Sequence, residues 1–183
     1  MARGCDTVLV VTTVGHSLTG LSLAVLTLPR AQSLRWYVLV GLCFVFFANV
    51  SDFPLPGWGH SNYHVSHSVF VTLFLASLLA LLLLWPGFRV TVGGRIMVAW
   101  SAAWLSHMVL DSIYAHGRGI AIFWPFSNAH LAMPVPWFET LSIPVRSVHN
   151  LRVFAIEAMV YGVALLGCVG LRWQLSRRPN WLG

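Results

Sequence analysis

Apolar residues occur in five long runs along the chain, separated by short polar turns. About 20 apolar residues are needed for a helix to cross the hydrocarbon core of a bilayer. We therefore predict five transmembrane helices, at about Thr7–Leu28, Trp36–Val50, Val65–Trp85, Gly94–Tyr114 and Asn150–Leu171. The predicted fold class is all-α: a polytopic membrane helix bundle of about five transmembrane helices, forming a single transmembrane helical domain over residues 1–183.

One stretch departs from this pattern. Residues 115–149 form a long outer segment that is rich in Pro, Trp and Phe and too apolar to be a solvated linker. Irregular backbone at membrane depth must be covered by protein or line a cavity. We expect this segment to be a re-entrant or interfacial cap.

Composition supports a membrane protein. Of the 183 residues, 57% are hydrophobic and only 9% are charged, and the mean hydropathy is +0.76. A soluble domain carries about 25% charged residues. The net charge of +6 comes from arginines that are scattered and mostly flank apolar runs, so no nucleic-acid binding is expected.

The arginines also predict an orientation. With five spans, one face of the membrane receives more arginines than the other, and positive residues favour the cytoplasmic side. The richer face has Arg30, Arg35, Arg89, Arg95, Arg172, Arg177 and Arg178, and the poorer face has Arg3, Arg118 and Arg146. This predicts an integral membrane protein with its N-terminus outside the cytoplasm.

All eight histidines fall in the outer half of the predicted bundle. At about 1.5 Å per residue, His16 in the first span and His107 in the fourth both lie about 10 Å below the outer boundary. His107 and Asp111 are four residues apart and project from one helix face. Ionisable residues in membrane segments are costly and indicate a functional site.

Three further residues fall at the same level. Asp52 follows the outer end of the second span, and His64 and His67 lie at the start of the third. Since His64 and His67 are three residues apart, a continuous helix would present both on one face. We predict that these side chains share one pocket with His16, His107 and Asp111. A local hydrogen-bonded pair is the alternative for the His107–Asp111 spacing taken alone.

Imidazole and carboxylate groups without thiolate suit one or two ions of zinc or another borderline divalent metal. Cys5, Cys43 and Cys168 are far apart and are expected to be packing residues. A metal with an open coordination position lowers the pKa of a bound water to about 7 and makes a hydroxide nucleophile. The predicted function is therefore metal-dependent hydrolysis, with phosphoesters as suitable substrates.

The order of several motifs carries a resemblance to a known family. They are "GHSLTGLSLA", "ANVSDFPLPGW", "YHVSHSVF", "WLSHMVLDSIYAHGRGIAIFWPFS" and "HNLRVFAIE". Over roughly residues 15–165 the sequence resembles the YdjM-like family of bacterial inner-membrane metal-dependent hydrolases, which is distantly similar to zinc-dependent phospholipase C. The resemblance implies a hydrolase in the membrane bilayer, acting on a phosphoric ester that is plausibly a phosphorylated lipid.

The resemblance also implies roles for individual residues. His16, Asp52, His67, His107 and Asp111 would be metal ligands, with Asp111 as a candidate bridge between two ions. His64 would match the first histidine of the family's paired pattern, although the shorter spacing here leaves His60 as its alternative. Arg118, between two glycines, is a candidate to hold the phosphate. The predicted catalytic residues are thus Asp111, His64 and Arg118.

A non-catalytic protein is the rival hypothesis, namely a metal carrier or sensor, or a haem-binding membrane protein. Haem would need axial histidines on facing helices and no carboxylate at the iron, so Asp52 and Asp111 argue against it. A transporter should carry polar groups through the inner halves of its spans, which are almost purely apolar here.

Overall fold

The computed structural model describes residues 13–30, 32–58, 63–84, 94–114, 119–141, 144 and 146–177. These residues form α-helices and no strand; the only extended pairings among them are two isolated bridges, Tyr114–Phe138 and Ile120–Leu131. The helices are α1 (Thr13–Thr27), α2 (Leu34–Asn49) with a 3₁₀ turn at Val50–Asp52, α3 (Tyr63–Ser66), α4 (Val69–Leu84), α5 (Gly94–Ile113) and α6 (Val148–Arg177). The predicted all-α class is confirmed.

Three of these elements are long and apolar enough to cross a membrane: Leu34–Asp52, Gly94–Ile113 and Val148–Arg177. Val69–Leu83 is a shorter apolar helix. The described part of α1 has 15 residues, because the predicted first span begins outside the described residues. The chain is thus a membrane protein by the length and composition of its helices.

The predicted third span is not one continuous helix. It is interrupted after α3, where His67 and Ser68 separate that short helix from α4. The Ser68 hydroxyl accepts a hydrogen bond from the Val71 amide at 3.3 Å and donates to the carbonyl of Trp124. Such a side-chain cap favours a new helix start at this position, so the prediction that the helix runs unbroken from Val65 is wrong.

α1, α2 and α5 pack around a core at the end of the bundle that contains the last turns of α1. Gly20 of α1 lies so close to α2 that a Cβ there would come within 2.7 Å of the Phe44 carbonyl oxygen. Small residues allow membrane helices to approach at backbone distance. The core residues are Ala24, Leu28, Val40, Phe44, Ala48, Ile96, Ala99, Trp100 and Ala103.

α6 holds both ends of α1. Near its start, the Glu157 carboxylate accepts a 3.2 Å hydrogen bond from the Gly15 amide in the first turn of α1. Near its end, the Arg172 guanidinium donates to the carbonyl of Val25 in the last turn and, at 3.4 Å, to that of Pro29. An acid at a helix N-terminus and a base at its C-terminus both complement the helix dipole. Because the earlier residue of α6 contacts the start of α1 and the later residue contacts its end, the two helices run parallel.

Candidate metal centre

Four side chains converge at the end of the bundle opposite this core. They are Asp52, His67, His107 and Asp111, and each contributes a nitrogen or carboxylate oxygen that lies within 4.8 Å of the others. The side chains of His67, His107 and Asp111 are fully buried, whereas that of Asp52 is 12% exposed. The group can hold a metal ion, and its one exposed edge is at Asp52.

The four members come from three places along the chain. The 3₁₀ turn after α2 carries Asp52, the break between α3 and α4 carries His67, and α5 carries His107 and Asp111 one turn apart. The i,i+4 spacing puts the last two on one face of α5. Chain breaks or helix ends thus supply two members, and one continuous helix supplies the other two.

The donor atoms are closely spaced. His67 Nε2 lies 3.0 Å from an Asp111 oxygen and 3.3 Å from an Asp52 oxygen. His107 Nε2 lies 3.4 Å from Asp111 and 3.6 Å from Asp52, and the two Nε2 atoms are 3.2 Å apart. Donors bound tetrahedrally at zinc's bond lengths of 2.0–2.1 Å would be about 3.3 Å apart. The spacing matches a small first coordination shell.

The hydrogen-bond partner of His107 determines which of its ring nitrogens faces the centre. His107 Nδ1 lies 2.8 Å from the Ala48 carbonyl oxygen, which only accepts, so this nitrogen carries the proton. In its neutral form the ring then presents its Nε2 lone pair to the centre. Since two facing N–H groups cannot share the 3.2 Å between the Nε2 atoms, at most one of those atoms is protonated. A cation relieves this crowding of acceptors.

Charge also fits a divalent ion. Two carboxylates buried with two neutral imidazoles carry a charge of −2, which is strongly unfavourable away from water unless it is compensated. A divalent cation at the centre would bring the group to neutrality. The donors are nitrogen and oxygen without sulfur, a set suited to zinc and similar borderline metals.

Asp111 connects this group to His16. One Asp111 oxygen faces His67 and His107, while the other lies 3.3 Å from His16 Nε2. The His16 ring is fully buried and stacks on His107 with 4.0 Å between ring centroids. His16 is therefore outside the four-residue group but touches its central carboxylate. The predicted bridging position of Asp111 agrees with this geometry.

Tyr63 supports two members of the group and was missed from the sequence. Its ring stacks on His67 at 3.8 Å between centroids, and its hydroxyl donates to Asp111 at 3.2 Å. Burial, together with the negative charges of Asp111 and Asp52, raises the pKa of Tyr63 above its usual range, so the hydroxyl keeps its proton. The sequence did contain a signal for Tyr63, because this residue precedes His67 by four positions, which is about one helical turn.

Glu157 is a second buried acid next to this centre. Its carboxylate is fully buried, and it accepts from Gly15, the neighbour of His16. The contact joins α6 to the backbone of α1. The signal for Glu157 was its position, since an acid in an apolar span indicates a functional or structural partner.

The structure does not bring His64 into the group. Its side chain is exposed, and its ring lies edge-on to Trp124 with 5.1 Å between centroids. His67 continues the turn of α3, since its amide donates to the Tyr63 carbonyl at 3.0 Å, yet its ring is fully buried whereas that of His64 is exposed. The catalytic role of His64 stays a prediction without support from this geometry. Arg118 and His60 lie outside the described residues.

No family model, curated protein or solved structure matches the chain. The resemblance to the YdjM-like family therefore stays a prediction.

Proposed function

We propose that this protein is a membrane-embedded metal-dependent hydrolase of phosphoesters, with esters of membrane lipids as its substrates. The observation that carries the proposal is the convergence of Asp52, His67, His107 and Asp111, whose imidazole–carboxylate distances are 3.0–3.6 Å and whose ligand atoms, one per residue, all lie within 4.8 Å of one another. A purely structural subunit would have no need of this costly burial. The choice of a phosphoester rests on this His/Asp donor set and on the resemblance.

The proposal includes five membrane spans in the bacterial inner membrane, with the site toward the extracytoplasmic face. In support, α1 and α4 are apolar and flank the three long helices. Of the seven described arginines, five fall at or near the helix ends opposite the four-residue group, namely Arg30, Arg35, Arg95, Arg172 and Arg177, whereas Arg146 and Arg152 lie near the start of α6. Positive residues favour the cytoplasmic side, which would direct the group outward.

The four residues would hold one ion of zinc or a similar metal, and His16 with Asp111 would contribute to a second. When bound, such an ion supplies Lewis acidity and lowers the pKa of water to about 7. The role of the chain is to fix the donors: Ala48 orients His107, and Tyr63 orients both His67 and Asp111. Ligand orientation by such partners commonly changes metal affinity by about 10–100-fold.

Substrate would approach at Asp52, since its side chain is the exposed member of the group. In the reaction, the oxygen of water bonds to phosphorus and the bond from phosphorus to the ester oxygen breaks. The proton from water ends on the departing alcohol. Arg118 stays a predicted phosphate ligand.

Two measurements on the detergent-purified full chain test the proposal. Elemental analysis should find about one to two zinc-like ions per chain, since the donors suffice for one complete site and part of a second. A screen against phosphorylated lipids should find hydrolysis that a chelator abolishes and added metal restores. His107→Ala should lose the metal and the activity together, while His130→Ala, at an exposed histidine outside the group, should keep the metal.

Each outcome decides between the hypotheses. Bound metal with no hydrolysis of any phosphoester would favour the carrier or sensor. A haem absorption spectrum would favour the haem-binding alternative. Hydrolysis that survives complete removal of metal would refute the proposed mechanism.

A further inference from the structure

The outer segment is an ordered structure built on the metal-ligand segments. Its described part, residues 119–141, is closed by a pair of hydrogen bonds between Ile120 and Leu131, at 3.0 and 2.8 Å. Gly119 has φ +76° and lies so near the Leu131 carbonyl that a side chain there would collide with it. The turn therefore depends on glycine.

This segment is attached directly beside two candidate ligands. The Val69 amide donates to the Ile122 carbonyl at 2.9 Å, and the Ser68 hydroxyl donates to the Trp124 carbonyl, both within two residues of His67. On the other side, the Met133 amide donates to the Ser112 carbonyl at 2.9 Å, next to Asp111. The segment thus connects the start of α4, beside His67, to the end of α5, beside Asp111.

The outward face of the segment is apolar. Phe126 is 79% exposed, Val135 72% and Trp137 70%. Phe123, Leu131 and Met133 are exposed as well. Across residues 119–141 the titratable side chains are only those of His130 and Glu139. Such a face is unfavourable in water, and a contiguous exposed apolar surface of this kind marks an interaction site.

The backbone of the segment decides which surroundings suit it. Residues 119–141 contain turns and isolated bridges and no helix, so many of their backbone groups have no partner within regular structure. Irregular backbone is not found exposed to the hydrocarbon core. Aromatic side chains with a hydrated backbone are typical of the boundary between the acyl chains and the headgroups, where tryptophan is enriched.

We propose that residues 119–141 are a membrane-interface anchor, whose Phe126, Val135 and Trp137 face insert among the lipid headgroups of the leaflet at the metal-site end. The partner is the lipid surface itself. One consequence of the anchor rests on the proposed function: the site would take phosphoesters from lipids within that leaflet, in preference to water-soluble esters. Lipid headgroups would lie beside the segments that carry His67 and Asp111.

Depth-dependent fluorescence quenching tests the insertion without using activity. Phe126→Trp adds one tryptophan to the nine native ones, and the difference from wild type isolates its emission in lipid nanodiscs. We expect quenching by phospholipids brominated near the headgroup and little quenching by aqueous iodide. Phe74→Trp is the matched control, because Phe74 is 68% exposed on α4 and should respond to deeply brominated lipids.

Two results would overturn the proposal. Strong quenching by iodide alone would mean that Phe126 faces water. Protection from both iodide and brominated lipid would mean that another protein, or a second copy of this chain, covers the face.

An activity comparison tests the consequence for the substrate. Phe126→Asp should lower kcat/KM for a long-chain phospholipid in vesicles by about tenfold, since an apolar anchor is lost, and change kcat/KM for a soluble short-chain phosphodiester less than about twofold. Asn128→Asp is the matched control, because it adds the same charge two residues away at an exposed polar position. Its vesicle activity should stay near wild type.

The two proposals fail in different ways. If no variant hydrolyses any substrate but the Phe126→Trp signal responds to shallow brominated lipid, the anchor stands and the hydrolase does not. If Phe126→Asp impairs vesicle and soluble substrates equally while metal content is unchanged, the leaflet-access consequence is wrong. Loss of metal from Phe126→Asp would assign Phe126 to folding of the site and would also count against the anchor.

Discussion

The two ends of the helix bundle satisfy their polar groups in different ways. At the metal-site end, buried His, Asp and Tyr side chains contact one another across α1, α3 and α5, as in the contacts of Asp111 with His16 and Tyr63. At the opposite end, Ser and Thr hydroxyls bond within their own helix, as Thr27 does to the Leu23 carbonyl at 2.6 Å and Ser101 to that of Met97 at 3.1 Å. The polar contacts between elements there run from Tyr37 and Arg172 to backbone carbonyls.

This difference separates two tasks within one set of helices. The apolar end packs Ala24, Phe44 and Ala103 closely, and there helix spacing is set by small residues. The metal-site end has side chains whose placement depends on contacts between helices. The apolar end should therefore fix the geometry of the bundle, while the other end should depend on a cation and on its neighbours. Four substitutions test this division, from the largest expected effect to the smallest.

Asp111→Asn should have the largest effect. It keeps the shape but removes the charge that contacts His16, His67 and His107. In the metal-bound protein, removing one partner of a buried charge pair costs about 4 kcal/mol, and loss of a ligand should lower metal affinity by more than about 100-fold. Isothermal titration with zinc and a thermal unfolding scan in detergent would measure both. Full zinc affinity in this variant would show that Asp111 is not a metal ligand.

Gly20→Ala tests the apolar end. The added Cβ would come within 2.7 Å of the Phe44 carbonyl oxygen, which is backbone and cannot move easily. We expect destabilisation by about 3 kcal/mol from overpacking, with zinc still bound by the folded fraction. Gly41→Ala is the matched control, since its nearest atom would be 4.0 Å away on Leu21. Equal unfolding temperatures for the two variants would contradict the close helix contact.

Glu157→Ala tests the contact that attaches the start of α1 to α6. It removes the acceptor of the Gly15 amide beside His16, and a hydrogen bond to a charged group contributes about 2 kcal/mol. Glu157→Gln keeps an oxygen acceptor and should recover part of the loss. Thermal unfolding of both variants, with and without zinc, would measure it. A Gln variant no better than Ala would show that the charge matters more than the hydrogen bond.

Phe74→Ala should have the smallest effect. Its side chain is 68% exposed on α4 and, in a bilayer, faces lipid. Truncation of a surface side chain usually changes stability by less than about 0.5 kcal/mol, and zinc content should not change. A larger loss in nanodiscs would indicate that another protein segment packs on this face.

Local sequence patterns were sufficient to predict three of the long helices and to name the four residues of the group. The apolar runs predicted helices close to α2, α5 and α6, and the four-residue spacing of His107 and Asp111 predicted their shared face. Asp52 was placed at the same membrane level because it follows an apolar run, and its role as a ligand came from the resemblance. These features depend on residues near one another in the chain, which periodicity describes well.

The remaining features depend on distant contacts. The break between α3 and α4 is stabilised by the Ser68 hydroxyl and the Trp124 carbonyl, which are 56 residues apart. Glu157 meets Gly15 across 142 residues. No local pattern encodes which backbone group a serine or a glutamate will find, so these two features could not be predicted from the sequence alone.

The attachment of α1 to α6 also bears on how this protein can move. Glu157 and Arg172 both lie on α6, roughly four turns apart, and they form hydrogen bonds to the two ends of α1. Sliding α1 by one residue, or rocking it about its midpoint, would break the hydrogen bond to the backbone at one end or both. The two helices should therefore move as one unit, and relative movement within the bundle should come from other elements.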